Sequence, residues 1–200
     1  MENPERTAEH FARIAERRAS LRDACVSILA SKTEFVWEIG CGHGHFLTAY
    51  AAAHPDKLCI GVDIELERIE RAVRKRDRAQ LPNLHFVRAD VHDFLAALPE
   101  AGRFTTIYVL FPDPWPKKRH HKNRLIQPGF IATIATRANL GCRLYFRTDH
   151  REYFCEAQAA FESSPDWQIA CEAWPFELPT VFQQRADVFY SLVAVRRGLG

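Results

Sequence analysis

The chain has 200 residues, 47% of them hydrophobic and 26% charged, a composition that excludes wholesale disorder. The length suits one domain, residues 1–200, able to bury its own core, with residues 1–30 as a leading helical segment. With 27 Lys and Arg against 25 Asp and Glu, the net charge is only +2, which taken alone argues against a bulk nucleic-acid binder. The first predicted element is a helix over residues 5–30, where Phe11, Ile14, Leu21, Ala24, Cys25 and Ile28 fall on one face. Phe35-Val36-Trp37 follows as a short buried strand running into Gly40, then a helix from Phe46 to Ala53 stopped near Pro55. Leu58 to Val62 predicts a second strand, Ile64 to Ala79 a charged helix, Leu84 to Val87 a third strand and Val91 to Leu98 a short helix. Phe104 to Phe111 predicts a fourth strand, ended by Pro112. Leu125 to Asn139 predicts a helix capped by Gly141, Arg143 to Thr148 a fifth strand, and His150 to Ser163 another helix. Trp167 to Cys171 and Val188 to Val195 are the last two strands, with no helix between them. Strands and helices alternating at this spacing predict an α/β fold with a parallel sheet of seven strands, helices on both faces and an antiparallel hairpin at one edge.

Other classes fall away. No apolar run approaches the ~18 residues of a membrane span, and the charged start MENPERTAEHFARIAERR has no apolar stretch of a secretion signal. None of the six cysteines (Cys25, Cys41, Cys59, Cys142, Cys155, Cys171) forms a C-x-x-C pair, so buried free thiols in the cytoplasm are expected rather than zinc or redox chemistry. Nor do the nine histidines fall into a metal-ligand spacing, and no metal is expected.

The first strand runs into Glu38-Ile39-Gly40-Cys41-Gly42-His43-Gly44. Three alternate glycines at a strand-to-helix turn let a backbone approach a ligand and present amides at a helix start. A dinucleotide fingerprint needs Gly or Ala where His45 stands, so NAD and FAD are disfavoured, and no Lys-Ser/Thr follows to make a P-loop. Asp63 ends the second strand, where a carboxylate accepts ribose hydroxyls, and Asp90 ends the third, where it either receives an adenine amine or simply caps the next helix. Glu38 stands where an ammonium group can be paired. Over residues 34–110 this arrangement resembles the class I methyltransferases that bind S-adenosylmethionine (SAM).

The segment Phe111-Pro112-Asp113-Pro114-Trp115-Pro116-Lys117-Lys118-Arg119-His120-His121-Lys122-Asn123-Arg124 leaves the fourth strand. Its prolines fix φ and hold Asp113 and Trp115, an acid and an aromatic suited to a planar base. Five Lys or Arg follow from Lys117 to Arg124 with no acid among them, a run able to engage phosphates. A solvated basic loop is the plain alternative for any charge run, and the proline-locked acid and aromatic weigh against it here. The segment resembles the signature of the tRNA (guanine-N7-)-methyltransferases, and Thr148-Asp149 with Tyr153, and Pro179-Thr180-x-Phe182, fit the same family over residues 34–195.

The resemblance implies a Rossmann-like SAM-methyltransferase sheet and transfer of a methyl group from SAM to N7 of a guanine in tRNA. It assigns Glu38, Gly40, Gly42, Gly44, Asp63, Asp90 and Asp113 to the SAM site and the catalytic position to Asp113. Lys117, Asp149, Thr180 and Gln183 match substrate-binding positions, and Trp115 and Arg119 join them as stacking and phosphate contacts. Lys118, Lys122 and Arg124 are expected to hold the RNA backbone too. Two departures stand out. Gln183 replaces the Glu of the family's T-x-x-E segment and gives no charge-assisted bond. The long basic segment that precedes the domain in many relatives is missing, which predicts weak, salt-sensitive RNA binding. A SAM-dependent methyltransferase of another RNA or a small molecule, and a non-catalytic RNA-binding relative, are the alternatives, separated by a substrate panel and by SAM binding. The near-neutral total also averages unlike regions: residues 100–124 carry six Lys and Arg against two acids, residues 150–200 four against seven. Nucleic-acid contact follows the local field.

Overall fold

The computed structural model describes residues 4–178 and 188–198, the side chains of residues 4–11 excepted. In chain order the elements are α1 (Pro4–Ile28), β1 (Glu34–Ile39), α2 (His45–Ala53), β2 (Cys59–Asp63), α3 (Leu66–Ala79), β3 (Leu84–Arg88), α4 (Val91–Ala97), β4 (Arg103–Leu110), α5 (Pro128–Ala135), β5 (Ala138–Thr148), α6 (Arg151–Glu162), β6 (Trp167–Ala170) and β7 (Tyr190–Arg196). A short 3-10 helix, Lys118–Asn123, lies between β4 and α5. The seven strands form one sheet in the order β3-β2-β1-β4-β5-β7-β6. The first five are parallel, and β7 runs antiparallel between β5 and β6. The expected antiparallel pair is therefore present, with its later strand inside and β6 at the edge.

Strands β1 and β2 are buried on both faces, which explains their largely apolar runs, and β4 is buried from Ile107 to Val109. One core lies between the sheet and α4, α5 and α6, centred on Trp37 stacked on Phe104 at 4.8 Å. The other lies under α2 and α3, around Phe46, Tyr50, Ala72 and Tyr108. α1 sends Cys25 into the first core, with Leu29 just past its end, and is tied to α4 where Arg17 and Arg18 pair with Asp93 at 3.4 and 3.1 Å. Ala24, expected on its buried face, is exposed.

Three expectations need correction. The helix foreseen from Leu125 to Asn139 is only α5. Pro128 opens it, and the residues before it are committed elsewhere: the Ile126 amide donates to the Tyr153 hydroxyl at 3.0 Å, and Gln127 Nε2 to the His121 carbonyl at 2.9 Å. Gly141 caps no helix. It sits inside β5 at φ 79°, where the pairing jumps from Phe104↔Ala138 to Thr106↔Arg143, a bulge for which glycine is suited. The cysteines also divide: Cys25, Cys41, Cys59 and Cys142 are buried, whereas Cys155 and Cys171 are exposed.

Candidate active site

Parallel strands put all their carboxyl ends on one edge, and the strand order decides which loops meet there. Asp90, Asp63, the glycine loop, the Asp113 loop and Asp149 follow β3, β2, β1, β4 and β5, which is also their order across the sheet. At about 4.8 Å per strand the row spans roughly 19 Å. Chain order reverses between β1 and β4, the switch point where open α/β sheets bind ligands.

The glycine loop is a cradle. Gly40, Gly42 and Gly44 have φ of 70°, 53° and 67°, in the left-handed region that side chains resist. A Cβ added at Gly40 or Gly42 would meet nothing within 4 Å, so open space lies over the backbone. At Gly44 it would stand 2.5 Å from Phe86 Cζ and 2.8 Å from Ala72 Cβ, so this glycine serves packing. Asp63 is 6% exposed and orders the cradle: Oδ2 accepts the Gly42 amide and Oδ1 the Glu65 amide, both at 2.9 Å. Each oxygen keeps a second lone pair for a ligand.

Glu38 is 3% exposed, and its Oε2 has no hydrogen-bond partner among the described residues. Burial pushes its carboxyl well above the usual 4.5. The Leu47 backbone hydrogen bond and Lys75 oppose that shift, and Asp63 adds to it. An unpaired buried acid costs stability, and a cation arriving there relieves it. Burial likewise pushes the neighbouring Cys41 thiol up, leaving it unreactive. Asp90 is exposed and caps α4, its Oδ1 accepting the His92 amide at 2.8 Å, so the capping role is real and the other oxygen remains available.

The Asp113 loop is held by contacts that leave the Asp113 side chain exposed. Phe111 and Trp115 both take positive φ, 52° and 45°, strain of the kind that gathers at functional sites. The Phe111 amide donates to the Arg147 carbonyl at 2.8 Å, and Arg124 Nε to the Pro114 carbonyl at 2.8 Å. Asp113 is exposed, and Trp115 is exposed at 36% with its ring edge-on to His120 at 5.8 Å. Lys117 and Arg119 are exposed, and Lys117 precedes the 3-10 helix with its carbonyl accepting the His120 amide at 2.7 Å. Asp149 is exposed at the end of β5, beside this loop. Thr180 and Gln183 lie outside the described residues.

Arg124 departs from expectation. Its side chain is 1% exposed, pairs with Glu156 at 2.6 Å and Glu152 at 3.6 Å, and lies over the Tyr153 ring at 5.2 Å. It faces α6 and supports the loop, so it is not an RNA contact. His121, Glu152 and Glu156 have ligand atoms within 4.8 Å of one another, but the Arg124 guanidinium already supplies the cation there. Arg147 was not singled out in the sequence. Its guanidinium lies 3.8 Å over Trp174 and 4.7 Å over Phe189, bonds Glu177 at 3.1 and 3.0 Å and donates to Ser191 at 2.9 Å. An arginine inside the apolar strand Leu144-Tyr145-Phe146-Arg147 is the one signal that could have marked it.

A sheet of this order, with a glycine cradle and acids at its switch point, defines a methyltransferase of the Rossmann-like class. The fold is shared with a 16S rRNA (adenine(1408)-N(1))-methyltransferase from Catenulisporales acidiphilia, with a TM-score of 0.58 and 21% identity, covering 88% of this chain and 91% of that one. Residues 32–185 match the family model described as putative methyltransferase. The tRNA (guanine-N(7)-)-methyltransferase of Hyphomonas neptunium is 37% identical over 151 residues, covering 76% of this chain and 68% of that protein. That of Synechococcus sp. (strain JA-2-3B'a(2-13)) is 36% identical over 150 residues, covering 73% of this chain and 63% of that protein, just under two thirds of its length. The chain thus belongs to the tRNA (guanine-N7-)-methyltransferase family.

Proposed function

We propose that this protein transfers a methyl group from SAM to N7 of a guanine in tRNA. The observation that supports this best is the pinned Phe111–Trp115 loop beside the glycine cradle at the switch point. The residues present fit the donor: Gly40 and Gly42 leave open space over their backbone, and Glu38 keeps an unpartnered oxygen where an ammonium is expected. Glu38 would hold that ammonium, Asp63 the ribose hydroxyls, and Asp90 the adenine amine through the oxygen not used in capping. When bound, SAM supplies a methyl carbon already activated by a sulfonium.

Guanine N7 carries a free lone pair, so no base is needed to remove a proton before attack. The protein's task is alignment and electrostatics. Asp113 accepts from the N–H edge of the base and stabilises the positive charge that develops on the purine. Asp149, at the next strand end, is a second acceptor. Trp115 presents an exposed ring to a base that has left its stack. Lys117 and Arg119 meet phosphates, and Thr180 and Gln183 complete the substrate set by family resemblance. A tRNA substrate together with free cysteines points to the cytoplasm.

The test is incubation with SAM and unmodified bulk tRNA, followed by nucleoside mass spectrometry. The expected product is 7-methylguanosine. Asp113→Ala should abolish turnover while calorimetry shows SAM still bound. Methylation of a small molecule with none of tRNA, or no SAM binding at all, would overturn the reading.

A further inference from the structure

A second basic surface lies away from the Asp113 loop. Along α3, Arg71, Arg74, Lys75 and Arg78 recur at three- and four-residue spacing and share one face. That face meets the glycine loop, where Lys75 Nζ donates to the His43 carbonyl at 2.8 Å. Together with His43 and His45 these residues line a groove of about 260 Å³ that contains no acid.

An ordinary solvated helix face interleaves its cations with carboxylates. The ion pairs of α3 are Arg68 with Asp63, Arg71 with Glu67 and Arg76 with Asp77. Among the described residues, none reaches Arg74, Lys75 or Arg78. The crowding is felt inside the groove. Burial and then Arg78 hold the Lys75 ammonium below its ordinary value, against an opposing pull from the buried Glu38. Burial, then Lys75 and His43, hold the His45 ring below its own. Arg74, Lys75 and Arg78, with no ion pair among the described residues, and Arg71 beside them make the kind of like-charge cluster that marks a polyanion site. The groove flanks the cradle on the β2 side and Lys117–Lys122 flanks it on the β4 side, so two positive surfaces straddle the reacting centre.

We propose that this groove is a second phosphate-binding site, taking the phosphodiester backbone of the RNA whose base is presented at the Asp113 loop. The proposal rests on the RNA methyl-transfer reading above. It assigns phosphate positioning to Arg71, Arg74 and Arg78, which neither the glycine loop nor the proline loop contains.

The test compares the parent with the triple variant Arg71→Gln, Arg74→Gln, Arg78→Gln, titrated with tRNA across a series of KCl concentrations. Each lost phosphate contact flattens the slope of log affinity against log salt by about 0.7–0.9. The variant is expected to lose about two units of slope and at least tenfold in affinity at low salt, with SAM affinity by calorimetry kept and the loss in methylation carried by KM. Unchanged slope, affinity and KM overturn the proposal, and 7-methylguanosine formed under those conditions leaves the reaction itself standing. Groove-dependent tRNA binding without any 7-methylguanosine has the opposite meaning: the groove stands and the reaction reading falls.

Discussion

Glu38→Gln should make the ligand-free protein more stable and the SAM complex weaker. The side chain is 3% exposed, with one oxygen lacking a partner among the described residues. Burial, the largest cause, raises its carboxyl well above 4.5 in the folded chain. The sign follows. A carboxyl whose folded pKa is raised binds its proton more tightly in the native state. Between the ordinary value of 4.5 and the raised one, the folded chain holds a proton that the unfolded chain has released, so stability falls as pH rises through that window. One proton corresponds to about 1.4 kcal/mol per pH unit across that window. Glutamine keeps the shape and removes the titration. The variant's advantage should therefore vanish near pH 4.5 and grow toward neutrality.

The same change removes a charge-assisted bond to an ammonium, worth about 1.5–3 kcal/mol, which is roughly 10- to 150-fold in affinity. Guanidinium chloride unfolding at pH 4.5, 6 and 7 reads the first effect, and calorimetry with SAM reads the second. Calorimetry in buffers of different ionisation enthalpy should also show the parent releasing more protons on binding than the variant. A variant no more stable than the parent at pH 7, with unchanged SAM affinity, would refute both the buried-acid argument and the assignment of Glu38.

The remaining predictions separate scaffold from site. Arg124→Met removes the Pro114 bond and the Glu156 pair; because both glutamates are partly exposed the cost is about 2 kcal/mol, or roughly 4–8 °C in Tm, and turnover should fall more than SAM affinity. Gly44→Ala should cost at least ~1 kcal/mol more than Gly40→Ala in thermal unfolding, because both sites strain φ but only the first drives a methyl into Phe86 and Ala72. Trp115→Ala should leave the Tm within about 1 °C of the parent and weaken tRNA binding by about 1–3 kcal/mol, read by anisotropy titration; undiminished affinity would mean that the ring does not stack on a base.

Much of the parallel half was legible in sequence because buried strands announce themselves. Phe35-Val36-Trp37 and Leu58 to Val62 are unbroken apolar runs ended by glycine or acid, and each matches a strand to within a residue or two. The acids and glycines of the site could be placed because parallel strands deliver their ends to one edge. The errors arose where local pattern and tertiary demand conflict. Leu125 to Asn139 has helical content, but Ile126 and Gln127 are claimed by Tyr153 and His121, and residues 138–142 are drawn into the sheet beside Phe104. The basic run after Pro116 looked uniform. Nothing in its order separates Arg124, which turns inward to α6, from Lys117 and Arg119, which stay in solvent. The basic face of α3 was hidden for a similar reason: Glu67, Glu70 and Asp77 balance much of its charge in sequence, and only the helical turn shows that Arg74, Lys75 and Arg78 have no acid partner among the described residues.

The inward turn of Arg124 also explains how a strained loop can be rigid without occupying its own working groups. Left-handed φ at Phe111 and Trp115 persists only where the surroundings over-determine it. Two backbone groups meet that need, the Phe111 amide bound by the Arg147 carbonyl and the Pro114 carbonyl bound by Arg124. A third tie, from Gln127 to the His121 carbonyl, fixes the far end of the basic stretch. None of them uses the side chain of Asp113, Trp115 or Lys117. The acids of α6 serve the same end, since Glu152 and Glu156 pair with Arg124. A net charge of +2 is thus divided in space. Carboxylates neutralise the cation that holds the loop, and exposed cations lie on either side of the cradle.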